Sequence, residues 1–137
     1  MITAREGAHA EVRYLAVRPS SVPIARRFAS ELAERFLDAQ QLASFEIAVS
    51  EIVSNAVRHG ADPDDEIKLA VTPKDGYICV QVTDAGPGLV PRPGAMGPDD
   101  GHGGFGLFIV EQLTRRWGVT REGSRTRVWF ELDFSAI

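Results

Sequence analysis

Apolar and polar residues alternate at two spacings along the chain, and each spacing predicts one kind of element. Apolar residues recur every three or four positions, as in helices with one apolar face, over residues 21–37, 45–60 and 105–117. They recur at every second position, as in strands, over residues 9–17, 66–71, 77–83, 118–121 and 126–134. The predicted order is therefore strand, two helices, hairpin, long loop, helix and hairpin.

This order predicts an α+β fold in two layers. Most strands are joined as hairpins and each helix has one apolar face, so the economical arrangement is a mixed, largely antiparallel sheet with three helices on one face. A chain of 137 residues has the length of one domain with a single hydrophobic core. We therefore expect a single domain over residues 1–137.

Charge and composition narrow the function classes. The 15 Lys and Arg residues are outnumbered by 19 Asp and Glu residues, which argues against direct nucleic-acid binding through a basic surface. The single cysteine, Cys79, can form no internal disulfide and is expected to be a small core residue. No window has the length and apolarity of a membrane span or of a signal peptide, so we expect no membrane association and a cytoplasmic location.

Three polar residues follow one flank of the second helix. Glu51, Asn55 and His59 are spaced i, i+4, i+8, so an uninterrupted α-helix points them into the same space. An amide oxygen is a hard ligand that suits Mg²⁺, and a carboxylate can accept a proton or orient a water. On this helix alone, the solvated side of a surface helix explains the pattern equally well. His59 is expected to interact with the helix dipole rather than to catalyse.

Two glycine-rich stretches enclose the long loop. Asp84, Gly86 and Gly88 come directly after a strand, where a carboxylate can accept a hydrogen bond from an exocyclic amine such as that of adenine. Residues 101–106 lead directly into a helix, whose N-terminal N–H groups suit phosphates. The second stretch is neither a Rossmann nor a Walker A motif, and by itself it is equally consistent with an ordinary glycine loop.

Taken together and in order, these motifs resemble those of the Bergerat-fold (GHKL) ATPases, shared by DNA gyrase, MutL and histidine kinases. The resemblance covers the whole chain through Glu51-x-x-x-Asn55-x-x-x-His59-Gly60, Asp84-x-Gly86-x-Gly88 and Gly104-x-Gly106-Leu107. The small size, the wording Ser-Glu-x-Val-x-Asn-Ala-x-x-His-Gly and the Ala25-Arg26 pair are similar to the bacterial anti-sigma-factor serine kinases.

The resemblance implies a site for ATP and Mg²⁺. Asn55 would ligate the metal, Glu51 would act as the general base and Asp84 would read the adenine amine. Because a free glutamate is a weak base at neutral pH, orienting a hydroxyl or a water is an alternative role for Glu51.

The glycines and the last motif complete the implied site. Gly86 and Gly88 would line the base pocket, and residues 89–103 would form the ATP lid. The Gly104-x-Gly106-Leu107 motif would contact phosphates. Thr126 would border the nucleotide, although Arg125 replaces the glycine that usually precedes it.

The partners implied are a sigma factor and a STAS-type anti-anti-sigma protein, and Arg26 would face them. The resemblance thus implies a protein-serine kinase that phosphorylates the anti-anti-sigma partner and sequesters the sigma factor. The lid departs from the Thr-Lys-Pro of some members: it contains Asp99 and Asp100, with only Arg92 and His102 as possible cations. A nucleotide-switched binding module without kinase activity is therefore the alternative. Homodimerisation is one way in which the family covers the open sheet face.

Overall fold

A computed structural model of the chain describes residues 9–60, 64–84 and 104–134. The described strands are β1 (Glu11–Ala16), β2 (Glu66–Pro73), β3 (Tyr77–Asp84), β4 (Arg116–Glu122) and β5 (Arg125–Asp133). The described α-helices are α1 (Ser21–Ala33), α2 (Ala39–Asn55) and α3 (Gly104–Leu113), and a π-helix (Ala56–Gly60) continues α2. The predicted order of elements is confirmed.

The strands form one sheet in the order β1-β2-β3-β5-β4. Every neighbouring pair in this sheet is antiparallel, so no parallel pair of the expected mixed kind occurs among the described strands. The two helices between β1 and β2 explain the first pair, since one helix carries the chain away from the end of β1 and the next brings it back. The predicted α+β class is confirmed.

The core lies between the helices and one face of the sheet. Alternate residues of the central strands are fully buried, among them Ile67, Leu69, Val80 and Phe130. The ring of Phe45 from α2 meets Phe130 edge to face, with ring centroids 5.8 Å apart. Helix spacing and strand alternation therefore predicted the two sides of one core correctly.

The boundaries of α1 and α2 differ from the prediction. The α1 helix ends at Ala33 rather than near Leu37, yet Leu37 is still buried in the core. The α2 helix begins at Ala39, earlier than predicted, because Asp38 forms a capping box: its carboxylate accepts from the Gln41 backbone N–H at 2.8 Å, and the Gln41 side chain accepts from the Asp38 N–H at 3.1 Å.

The predicted end of the third helix is wrong. The α3 helix ends at Leu113, and Trp117 and Gly118, predicted to close it, lie within β4. Trp117 fits either assignment because its ring packs partly buried against the core from a strand as it would from a helix. Gly118 does not end a helix; a Cβ at this position would lie only 2.7 Å from the Trp129 ring.

The opposite face of the sheet has its own short row of contacts. Trp129 points outward, as the alternation predicted, and the Arg116 guanidinium lies 5.8 Å from the centre of its ring. Arg116 also donates to both carboxylate oxygens of the buried Glu131, at 3.0 and 3.1 Å. Cys79 is buried as expected, but beside Glu131 on this outer face, since the two residues are cross-strand partners. Burial, with a smaller contribution from the charge of Glu131, raises the pKa of the Cys79 thiol.

Candidate functional site

The strand registers place several of the predicted site residues at one end of the sheet. Asp84, the last residue of β3, lies directly opposite Thr126, near the start of β5. The start of β2 lies at the same end, because Lys68 pairs with Thr83. The π-helix leads towards β2 and contacts β3. The C-terminal end of α2, the end of β3 and the start of β5 therefore meet at this end of the domain.

Asn55 is the last α-helical residue of α2. Its side chain is buried, with 2% of its surface exposed. Its Oδ1 accepts a hydrogen bond from Nη2 of Arg58 at 3.0 Å, whereas its Nδ2 has no partner among the residues that the structure describes. A buried amide group without a partner costs stability, so such a group is retained where a ligand or a water satisfies it.

The helix changes its hydrogen-bonding pattern immediately after Asn55. Residues Ala56–Gly60 are π-helical, with i to i+5 bonds and more residues per turn than an α-helix. The predicted alignment of Glu51, Asn55 and His59 assumed an uninterrupted α-helix, and the α-helix ends at Asn55. The side chain of His59 lies outside the described residues. Glu51 is half-buried on α2, one turn before Asn55.

Asp84 and Thr126 are buried polar residues that lie opposite each other on neighbouring strands. Asp84 is 2% exposed and Thr126 is fully buried. The Thr126 hydroxyl accepts a hydrogen bond from Nη1 of Arg121 at 2.9 Å, and Arg121 is the cross-strand partner of Thr126 on β4. A carboxylate, a hydroxyl and a guanidinium thus lie side by side on three adjacent strands. Such groups can orient a polar ligand at the sheet end.

The glycine motifs are described only in part. Gly104 and Gly106 lie in the first turn of α3, where the backbone N–H groups have no helical partner, and Leu107 is fully buried. Gly86, Gly88 and the lid over residues 89–103 lie outside the described residues.

Arg26 lies on α1 and contacts α2. Its Nη1 donates to the hydroxyl of Ser50 at 3.0 Å, and Ser50 directly precedes Glu51. One turn further along α1, the Ser30 hydroxyl donates to Glu46 at 2.8 Å. The predicted partner-facing residue is therefore half-buried and linked to the helix that carries Glu51, the candidate catalytic residue.

The described residues could offer magnesium few protein ligands. Within residues 9–60, 64–84 and 104–134, no group of three or more His, Cys, Asp or Glu side chains could hold a metal ion. Magnesium in nucleotide sites usually has few protein ligands, with phosphates and waters completing its shell. The buried amide of Asn55 fits that role as one oxygen ligand.

A separate cleft of about 410 Å³ lies between β1 and α1. It is lined by Arg13, Ile24, Arg27 and Phe28, among others, and by none of the predicted nucleotide-site residues. None of the helices in the described part of the chain is long and apolar enough to cross a membrane.

Two residues of the site were missed by the sequence analysis, Arg58 and Arg121. Arg58 follows Asn55 by three residues, a spacing at which helical side chains are neighbours. This spacing could have identified it. Arg121 became recognisable only from the β4 to β5 register, because it was predicted as the last residue of a shorter strand.

Comparisons with known proteins bear on the family to which this chain belongs. The profile of the family described as "Histidine kinase-like ATPase domain" matches residues 15–132. An anti-sigma F factor from Clostridium botulinum is 32% identical over 106 residues, which cover 71% of this chain and 74% of that protein.

Solved structures with the same fold include the RsbU and RsbW domains of a Mycobacterium tuberculosis protein, with a TM-score of 0.69 and 23% identity. The match covers 93% of this chain, which spans about a third of that structure's length, 33%. A histidine kinase domain from the blue-light activated histidine kinase of Erythrobacter litoralis matches with a TM-score of 0.56 and 22% identity, over 84% of this chain and 60% of that one. The family profile, the anti-sigma F factor and these folds agree: the chain belongs to the histidine kinase-like ATPase domain family.

Proposed function

We propose that the protein binds ATP with Mg²⁺ and acts as an anti-sigma-factor serine kinase. In this role it phosphorylates a STAS-type anti-anti-sigma protein and sequesters a sigma factor, and so regulates transcription in the cytoplasm. The observation that carries the proposal is the buried Asn55 amide with its unpartnered Nδ2, at the end of the sheet where Asp84 and Thr126 pair. The name of the chain's relative from Clostridium botulinum, an anti-sigma F factor, also supports the proposal.

In the proposed site, each residue recognises one part of the nucleotide. The Asp84 carboxylate accepts from the exocyclic amine of adenine, with Gly86 and Gly88 beside the base and Thr126 at its border. Gly104 and Gly106 offer backbone N–H groups to the phosphates at the start of α3. Leu107, fully buried, anchors that turn to the core.

The proposed reaction transfers the γ-phosphoryl group of ATP to a serine of the partner. The serine oxygen forms a bond to the γ-phosphorus, the bond from that phosphorus to the oxygen bridging to the β-phosphate breaks, and ADP leaves. The proton of the serine hydroxyl passes to the Glu51 carboxylate, which lies one turn before Asn55. Magnesium, when bound, neutralises charge on the phosphates, and the Asn55 amide oxygen is the protein ligand that this site offers it.

Arg26 is proposed to contact the partner proteins. Its hydrogen bond to Ser50 connects that surface to the residue next to Glu51. A partner that draws the guanidinium away from Ser50 would thus act close to the catalytic carboxylate.

Calorimetric titration of the protein with Mg²⁺-ATP or Mg²⁺-ADP tests the nucleotide site. We expect Asp84→Asn to weaken binding about ten- to hundredfold, because a hydrogen bond to a charged group contributes about 1.5–3 kcal/mol. Asp75→Asn is the matched control, since Asp75 is exposed in the turn between β2 and β3. Absence of binding to the wild type, or equal binding by both variants, would contradict the proposed site.

Incubation with γ-labelled ATP and candidate STAS-type proteins tests the transfer. We expect label on a serine of one partner, and loss of that label in both Glu51→Ala and Asn55→Ala. Label that persists unchanged in these two variants would show that the catalytic assignment is wrong.

A second function is favoured by the composition of the lid. The lid sequence contains Asp99 and Asp100, with only Arg92 and His102 as possible cations, so it has little positive charge to neutralise a transferring phosphoryl group. In this alternative, nucleotide changes only the protein's grip on its partner. Nucleotide-dependent partner binding without any label transfer would support it over the kinase.

A further inference from the structure

The guanidinium of Arg58 contacts the amide oxygen of Asn55, which is the atom proposed to bind the metal. Nη2 of Arg58 lies 3.0 Å from Oδ1 of Asn55. Arg58 is exposed and Asn55 is buried, so a solvent-facing side chain reaches inward to the amide. Because a guanidinium only donates hydrogen bonds, its partner is the amide oxygen, the same atom that suits Mg²⁺.

The two cations are poorly compatible at one oxygen. Magnesium binds oxygen ligands at about 2.1 Å, so a guanidinium nitrogen retained 3.0 Å from the same oxygen would lie within about 5 Å of the metal. Unlike water, the surroundings of the buried amide screen this repulsion weakly. The metal and the Arg58 contact therefore oppose each other.

We propose that Arg58 competes with Mg²⁺ for Oδ1 of Asn55, so that metal binding requires the guanidinium to move away. This inference rests on the proposed function, in which Asn55 is the metal ligand. The long, exposed side chain of Arg58 can change rotamer without disturbing the core. In the nucleotide-free protein, Arg58 holds the amide oxygen in place, and it raises the magnesium concentration needed to complete the site.

The test measures binding of a fluorescent ADP analogue, mant-ADP, as free Mg²⁺ is raised from none, in EDTA, to saturation. The quantity compared is the midpoint, the free Mg²⁺ concentration at which the bound fraction is halfway between its values at these two extremes. We expect Arg58→Gln to lower this midpoint about three- to tenfold, the effect of losing a charged hydrogen bond discounted for solvent exposure. Arg58→Met keeps the apolar stem and should shift the midpoint in the same direction. Arg35→Gln removes a charge that is also exposed, beyond the end of α1, and should leave the midpoint at the wild-type value.

The outcomes separate the inference from the function beneath it. Wild-type and variant proteins that bind mant-ADP with equal midpoints, or a variant midpoint at higher Mg²⁺, overturn the competition but leave the nucleotide site standing. A wild-type protein that binds no mant-ADP at any magnesium concentration overturns the proposed function, and the competition with it. Far-UV circular dichroism of each variant establishes that it is folded before its midpoint is measured.

Discussion

Gly118 lies in β4 directly beneath the indole ring of Trp129, its cross-strand partner. A Cβ built at Gly118 would lie 2.7 Å from Cζ2, 2.8 Å from Cε2 and 2.9 Å from Nε1 of that ring. Carbon atoms in contact normally lie about 3.5–4.0 Å apart, so the ring would have to move by about 1 Å. The Arg116 guanidinium, held in two hydrogen bonds by Glu131, lies against the ring and resists that movement.

We therefore expect Gly118→Ala to lower the free energy of unfolding by about 1–3 kcal/mol, as overpacked sites do. The measurement is urea denaturation followed by far-UV circular dichroism, which does not depend on tryptophan emission. The same substitution in a Trp129→Ala background has no ring to displace. There it should be neutral or stabilising by up to about 1 kcal/mol, since alanine suits a strand interior better than glycine.

The double-mutant comparison decides whether the reasoning is correct. A cost of Gly118→Ala that is the same with and without the Trp129 ring would mean that the steric explanation is wrong. A cost below about 0.5 kcal/mol in the wild-type background would mean that the ring gives way freely. Either result would assign Gly118 a role other than making room for the indole.

Three further expectations concern Asp38, Thr126 and Cys79. Asp38→Ala removes the capping box with Gln41 and should cost about 1 kcal/mol of stability in urea denaturation, with mant-ADP affinity unchanged. Thr126→Val removes the buried hydroxyl that Arg121 contacts and should lower stability by about 1 kcal/mol, while also weakening mant-ADP binding. Burial raises the pKa of Cys79 above 9.0, so its thiol should react with DTNB at pH 8 more slowly in the folded than in the urea-unfolded protein. The folded state therefore binds the thiol proton of Cys79 more tightly than the unfolded state does. The stability that this difference contributes is present below pH 9.0 and is lost as the pH rises further.

Hydrophobic spacing was enough to predict the order of elements and the two sides of the core. It failed at element ends, where other forces decide. At Asp38 a capping box extends α2 towards its N-terminus. At Trp117 the strand partner Phe130 decides, and a single sequence gives no sign of which residues will pair across strands.

The candidate site was predictable where its residues belong to local motifs. Asn55 and Asp84 came from motifs within single elements, and both are buried. The π-helical turn after Asn55 was not predictable, because the residues that form it fit an ordinary α-helix equally well. The contact of Arg121 with Thr126 depends on a register that only the folded sheet fixes. The assigned roles of these residues stay predictions.

The order of strands has a consequence for how the chain reaches its folded state. The hairpins β2–β3 and β4–β5 each close a short turn, whereas the central β3–β5 ladder joins segments separated by about 40 residues, and closing such a loop costs chain entropy that grows with its length. Non-local contacts of this kind form slowly. The pairing of Asp84 with Thr126 belongs to that ladder, so the same slow closure brings these two residues together. A molecule that has formed both hairpins but not this ladder would have most of its local structure but would lack part of the proposed nucleotide site.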